Sequence, residues 1–193
     1  AGEQALLAVG WGKDGVGHAT TDIYFVTRQF AAAPEAILPS KGTYAEWAAE
    51  PSPRGDSIAF ESNDGGDREI FVLTRRGAAD VTNHAAADWN PVWSPNGEWI
   101  AFESLRSGRR GVHRVYAQTG RISELAVTEG SDNWWPTWAP DSHSVAFVST
   151  RNGRPKVFVS ELRNETVLPL TDDAVAEYAP AWRPVPKAKK GKS

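Results

Sequence analysis

The phrase PVWSPNGEWIAF, residues 91–102, returns as PTWAPDSHSVAF at 136–147 and begins a third time as PAWRP at 180–184. No other feature constrains the fold as much. A chain that reuses one supersecondary unit must bury each copy against the next. The turn prolines Pro53, Pro95, Pro140 and Pro184 stand 42, 45 and 44 residues apart. Behind them run SIAFES (57–62), WIAFES (99–104) and SVAFVS (144–149). Six residues before each proline is an aromatic: Trp47, Trp89, Trp134 and Tyr178. Just ahead of these stand Glu46, Asp88, Asn133 and Glu177. A threonine column precedes them at Val81-Thr82, Val127-Thr128 and Leu170-Thr171, with a weaker counterpart at Pro39-Ser40.

Each unit reads as four short strands. NPVWS and its equivalents form the first, and Pro-Asn-Gly or Pro-Asp-Ser reverses the chain. The continuous apolar IAF run is a strand buried on both faces. After a polar loop (63–69, 105–111 or 151–156) come IFVLT (70–74), HRVYA (113–117) or VFVSE (157–161), then a short piece ending at the threonine column. Helical periodicity is weak everywhere, and Pro34 interrupts the helix-friendly AAAPEAIL (31–38). The fold class is therefore all-β, a β-propeller of four-stranded antiparallel blades. One such sheet cannot cover its own two apolar faces; radial packing buries them and ring closure protects the edges. The tryptophan column Trp93, Trp138 and Trp182 is expected between neighbouring blades.

PVWSPNGEWIAFES resembles the WD-like repeat of TolB-type propellers, which also occurs in the propeller domains of prolyl-oligopeptidase-like and tricorn-like proteases. The resemblance covers roughly residues 40–184 and is strongest in PVWSPNGEWIAF and PTWAPDSHSVAF. In EPSPRGDSIAF, Pro51 stands where tryptophan is expected. Residues 5–27 fit a degenerate unit: ALLAVG matches the IAF strand and DIYFVT (22–27) matches REIFVLT (68–74). The counting gives a single domain over 1–186 with four blades: 1–45 plus 180–184, 46–87, 88–132 and 133–179. The N-terminal unit lacks a first strand and the C-terminus carries a spare one, so PAWRP is expected beside residues 5–10. Members of the family usually carry six or more blades, which leaves two further arrangements open. One is a strand-swapped homodimer forming an eight-bladed ring; the other is an excised part of a larger propeller.

The 193 residues carry a net charge of −3 and contain no cysteine. Disulfide frameworks and thiolate metal sites are thereby excluded. Lys187, Lys189, Lys190 and Lys192 lie in a basic tail, 187–193, read as disordered, so the body is more acidic than the whole. That argues against a nucleic-acid surface. No run of 18 apolar residues offers a membrane span.

The acidic-aromatic column is the best candidate site. Glu46, Asp88, Asp132, Asn133 and Glu177 would ring one mouth of the channel and receive a basic peptide, or hold a cation through oxygen ligands. The competing reading is that each carboxylate caps its own loop. Beside them Trp47, Trp89, Trp134, Trp135 and Tyr178 could stack on sugars or peptide side chains, or pack between blades. Trp135 breaks the column. NDGGD (63–67) lacks the downstream bidentate Glu of a calcium loop and reads as a tight turn. His18, His84, His113 and His143 occupy non-equivalent positions, no G-x-S-x-G nucleophile turn exists, and RRG (109–111) reads as a solvated loop. NET (164–166) is a glycosylation sequon.

No cofactor is expected apart from that channel cation. Three functions compete: a non-enzymatic module binding a protein or peptide, a lectin-like propeller using its tryptophans, and a metal-dependent lyase or hydrolase. The family resemblance implies partner binding around the channel opening and a periplasmic or secreted setting.

Overall fold

The computed structural model describes residues 5–13, 19–27, 35–36, 45–126, 128–171 and 176–183. They form fifteen strands and no helix. The first sheet holds β1 (Ala5–Lys13), β2 (Ala19–Thr27) and β3 (Glu35–Ala36). The second holds β4 (Glu46–Pro51), β5 (Ile58–Ser62), β6 (Glu69–Thr74) and β7 (Gly77–Asp80). The third holds β8 (Asp88–Trp93), β9 (Trp99–Ser104), β10 (Gly111–Tyr116) and β11 (Arg121–Ala126). The fourth holds β12 (Asn133–Trp138), β13 (Ser144–Ser149), β14 (Lys156–Glu161) and β15 (Thr166–Pro169). Within each sheet successive strands pair antiparallel in sequence order.

The sheets pack face to face in chain order: β1 and β2 on β4, β5 and β6 on β8, β9 and β10 on β12. The two central strands of each sheet are therefore covered on both sides. Every residue of β5 and β13 is buried, as continuous apolar runs require. Ala59, Ile70 and Val72 of the second sheet meet Trp93, Ile100, Phe102 and Val115 of the third. Ala101, Val112 and Leu125 of the third meet Trp138, Val145, Phe147 and Phe158 of the fourth. Ile23 packs with Phe60 and Phe71 at the first seam.

The tryptophan column lies where it was expected. Trp93 and Trp138 are each 5% exposed. Each indole N–H donates to a carbonyl of the preceding sheet's first strand: Trp93 Nε1 to Glu50 O at 3.1 Å and Trp138 Nε1 to Val92 O at 3.0 Å. Burying one such ring contributes on the order of 3–5 kcal/mol. The proline turns close as read. Ser94 N–H donates to Trp99 O and Gly97 N–H to Ser94 O, both at 2.8 Å. Gly97 takes φ +67°, and a Cβ there would stand 3.1 Å from the Arg54 side chain.

The expected addition of 180–184 to β1 is not realised among the described residues. The first sheet holds β1, β2 and β3, and residues 180–183 belong to no strand; Pro184 lies outside the described residues. The segment is engaged elsewhere. Trp182 Nε1 donates to Thr137 O at 3.1 Å, and its ring packs on Ala146, Val157 and Val159 of the fourth sheet. Residues 176–183 thus make the contacts of a further first strand. The tryptophan contact ties them to the fourth sheet, which is where every earlier member of the column binds. The expected tail at 187–193 and most of AAAPEAIL also lie outside the described residues.

Candidate functional site

In an antiparallel meander, the loops joining second to third strands share an end with the starts of the first strands. Cross-sheet backbone bonds gather there. Asp88 N–H donates to Arg68 O at 2.6 Å, Asn133 N–H to Arg110 O at 2.7 Å and Glu177 N–H to Pro155 O at 3.0 Å. Each first strand is then bulged, with register shifts between Trp47 and Glu50, Trp89 and Val92, and Trp134 and Thr137. The residue at each bulge is left-handed: Ala48 at φ 48°, Asn90 at 59° and Trp135 at 54°, with Ala179 at 51° in the further segment.

A bulge frees a backbone N–H, and a buried N–H needs an acceptor. Two second-strand carboxylates supply it across the seam. Glu61 Oε1 accepts Asn90 N–H at 2.7 Å, and Glu103 Oε1 accepts Trp135 N–H at 3.0 Å. Each carboxylate also meets a loop arginine of its own sheet. Arg68 lies 3.4 Å from Glu61, and Arg110 Nε donates to Glu103 Oε2. Glu103 also accepts Asn90 Nδ2 at 2.8 Å. Burial pushes the Glu61 carboxyl up, opposed by the Asn90 N–H and Arg68. The arginines in turn cover the aromatic column. Arg68 sits 4.5 Å over Trp47, and Arg110 sits 5.6 Å from both Trp89 and Trp134. At the equivalent positions of the fourth sheet stand Val148 and Pro155, so this staple is missing there.

The acidic members of the sequence column are mostly enclosed. Glu46 is 6% exposed and accepts Ile23 N–H at 3.3 Å. Asp88 is fully buried and ion-paired to Arg106, with its Oδ1 unbonded. Asn133 is fully buried and accepts Arg151 Nη2 at 3.3 Å. Asp132 and Glu177 are half-buried. Asp132 bonds through its backbone to Thr150, and Glu177 Oε2 has no partner. Three of the five therefore tie loops to strands, while Asp132 and Glu177 keep unengaged carboxylate oxygens.

Among the aromatics, Trp47, Trp89 and Trp134 are half-buried under arginines, whereas Trp135 is 38% and Tyr178 57% exposed. Trp135 stands edge-on to Trp134 at 6.3 Å and to Tyr178 at 6.1 Å between centroids. Next to this trio is an open cleft of about 570 Å³ lined by Leu105, Gly108, Arg109, Arg110, Asp132 and Trp134. The site residues brought together are thus Asp132, Trp134, Trp135 and Tyr178.

Sequence reasoning passed over Glu61, Glu103, Arg68 and Arg110. The signal was present: FES at 60–62 and 102–104 sets a charge in an otherwise apolar strand, and a buried charge demands a partner. RRG is more than a solvated loop, because Arg110 carries the Glu103 contact. NDGGD is a turn closed by Gly66 N–H to Asn63 O at 3.1 Å. His113 is fully buried on Phe102 with both ring nitrogens unbonded; burial, then Arg106, pushes it down to about 4.

Comparison with known proteins places this geometry. The family model described as the TolB beta propeller domain matches residues 32–185. No curated protein is recognisably similar in sequence. Among solved structures, a TolB-type protein from Agrobacterium tumefaciens shares 19% identity over 86% of this chain and 61% of its own, with a TM-score of 0.65. TolB from Acinetobacter baumannii shares 19% over 79% of this chain and 38% of its own, at 0.61. A puromycin hydrolase shares 15% over 87% of this chain and 29% of its own, at 0.71. The chain spans less than two thirds of each, and at these identities the likeness is one of fold. With a family match over most of its length, the chain belongs to the TolB β-propeller family.

Proposed function

We propose that the chain is a non-enzymatic binding module that docks a protein or peptide partner on the aromatic surface of Trp134, Trp135 and Tyr178 and in the adjoining cleft, in a periplasmic or secreted setting. The observation that carries this reading is Trp135. A bulky residue at φ 54° costs about 1–2 kcal/mol relative to an ordinary strand conformation. Burial does not repay that cost, because the ring stays exposed beside Tyr178. Strain kept on an exposed aromatic is accounted for by what the aromatic contacts in a complex. Exposed aromatics bordering a concave surface are the usual anchors of such interfaces. No helix among the described residues is long and apolar enough to cross a membrane.

The test is a displayed random-peptide selection against the whole chain, followed by the W135A/Y178A double variant. Capture should fall at least tenfold, about 1.4 kcal/mol, with the melting temperature nearly unchanged. Undiminished capture by the double variant, or no selectable peptide, would overturn the reading. The same two rings also fit a sugar face, so a glycan array read by tryptophan quenching is the companion assay. Glycan binding without peptide binding would move the function to the lectin-like alternative.

A further inference from the structure

We propose that the Trp135–Tyr178 surface accepts a guanidinium from the docked partner: the ligand presents an arginine side chain. The inference rests on the docking reading above and deepens it.

The molecule shows what its own aromatics take. Arg68 covers Trp47, Arg110 covers Trp89 and Trp134, Arg114 lies 4.3 Å over Trp99, and Arg151 lies 4.5 Å over Phe158. Among the described residues no cation covers Trp135 or Tyr178, the two exposed rings. The reason is local. The loop position that holds arginine in the second and third sheets holds Pro155 in the fourth, and the buried glutamate that would anchor it is Val148. The third seam therefore keeps the aromatic half of a device whose cationic half is missing.

Charge points the same way. The carboxylate of Asp132, which lines the cleft with Trp134, has no hydrogen bond or ion pair among the described residues. Glu177 Oε2, next to Tyr178, is buried without a partner. At the seams before it, Asp88 is bonded by Arg106 and Asn133 by Arg151. The cations closest in this arrangement are engaged: Arg110 with Glu103, and Arg151 with Ser149 and Asn133. Exposed Arg109 and Arg154 flank the approach and oppose it. A planar guanidinium can lie on a ring face and bond a carboxylate at its edge at once, which an ammonium does less well.

The probe is N-acetyl-argininamide, titrated into the whole chain while the indole N–H resonance of Trp135, assigned with W135F, is followed by NMR. N-acetyl-citrullinamide, the neutral isostere, is the control. A saturable shift with a Kd on the order of 1–30 mM is expected for argininamide only. D132N and E177Q should each weaken it several-fold, and R109A should tighten it. Equal shifts with citrullinamide, or no shift of Trp135 with argininamide, would overturn the proposal. The two readings fail separately. Selected peptides that bind equally well with arginine replaced by citrulline leave docking intact and remove the cation; loss of all peptide binding removes both.

Discussion

The seams after the second and third sheets and the seam after the fourth are made from the same columns of sequence, yet they are held differently. In the first two, a glutamate in a buried strand crosses to the next sheet's bulge and an arginine closes over the aromatic beside it. In the last, Val148 and Pro155 have replaced both partners together, and the bulge at Ala179 keeps its left-handed backbone without that acceptor. Losing only one partner would leave a charge buried and unpaired, which is the costly outcome. The paired change shows that glutamate and arginine act as one unit. It also shows why the exposed aromatics lie at this seam: nothing of the chain's own covers them.

The largest effect separates the complete seams from the last one. Trp138→Ala should cost about 3–5 kcal/mol in urea unfolding, because the ring is buried between two sheets. Trp182→Ala should cost about half that, since its ring meets the fourth sheet alone. Equal losses would erase the distinction. Next comes Glu103→Ala, expected to cost about 3 kcal/mol, as it leaves Trp135 N–H, Asn90 Nδ2 and Arg110 without their acceptor. Glu61→Ala should cost less, because Arg68 is the more exposed partner.

Rebuilding the staple sharpens the comparison. Val148→Glu alone should destabilise by about 3 kcal/mol, and adding Pro155→Arg should recover about 1–2 kcal/mol as a coupling energy. Strict additivity would mean that the two columns are unrelated. Trp135→Asn, which copies Asn90 of the preceding sheet, should raise stability by about 1 kcal/mol while abolishing peptide capture.

The smallest effect is on pH dependence. Burial raises Glu50 to about 7, so its contribution is complete below pH 4.5 and is lost as pH rises through about 7. Burial raises Glu69 in the same direction, with Asp88 adding to it. His113 is depressed to about 4, so its contribution is present above pH 6.5 and is lost as pH falls through 4. The opposed slopes largely offset one another between pH 4.5 and 6.5. A Tm profile should therefore be shallow there and fall towards pH 7. Glu50→Gln should lessen that fall, and His113→Phe should extend it down to pH 4.5.

Legibility in the sequence followed the range of the interaction. The four-strand units and the tryptophan column were readable because turn chemistry and apolar runs are local and recur in register. The acidic column was readable as a column, but the burial of Asp88 and Asn133 depends on Arg106 and Arg151, each 18 residues further on. Glu103 and Trp135 are 32 residues apart and on different sheets, so their bond belongs to packing and no spacing rule reveals it. The pairing of 180–184 with β1 was inferred by counting strands. Counting does not register that Trp182 has its own site on the fourth sheet.

The central claim is that second-strand glutamates hold the next sheet's bulge by its backbone N–H. Amide hydrogen exchange at Asn90, Trp135 and Ala179 tests it most directly. The account predicts strong protection at Asn90 and Trp135, weak protection at Ala179, and selective loss at Trp135 in E103A. Equal protection at all three, unchanged by E103A, would contradict it.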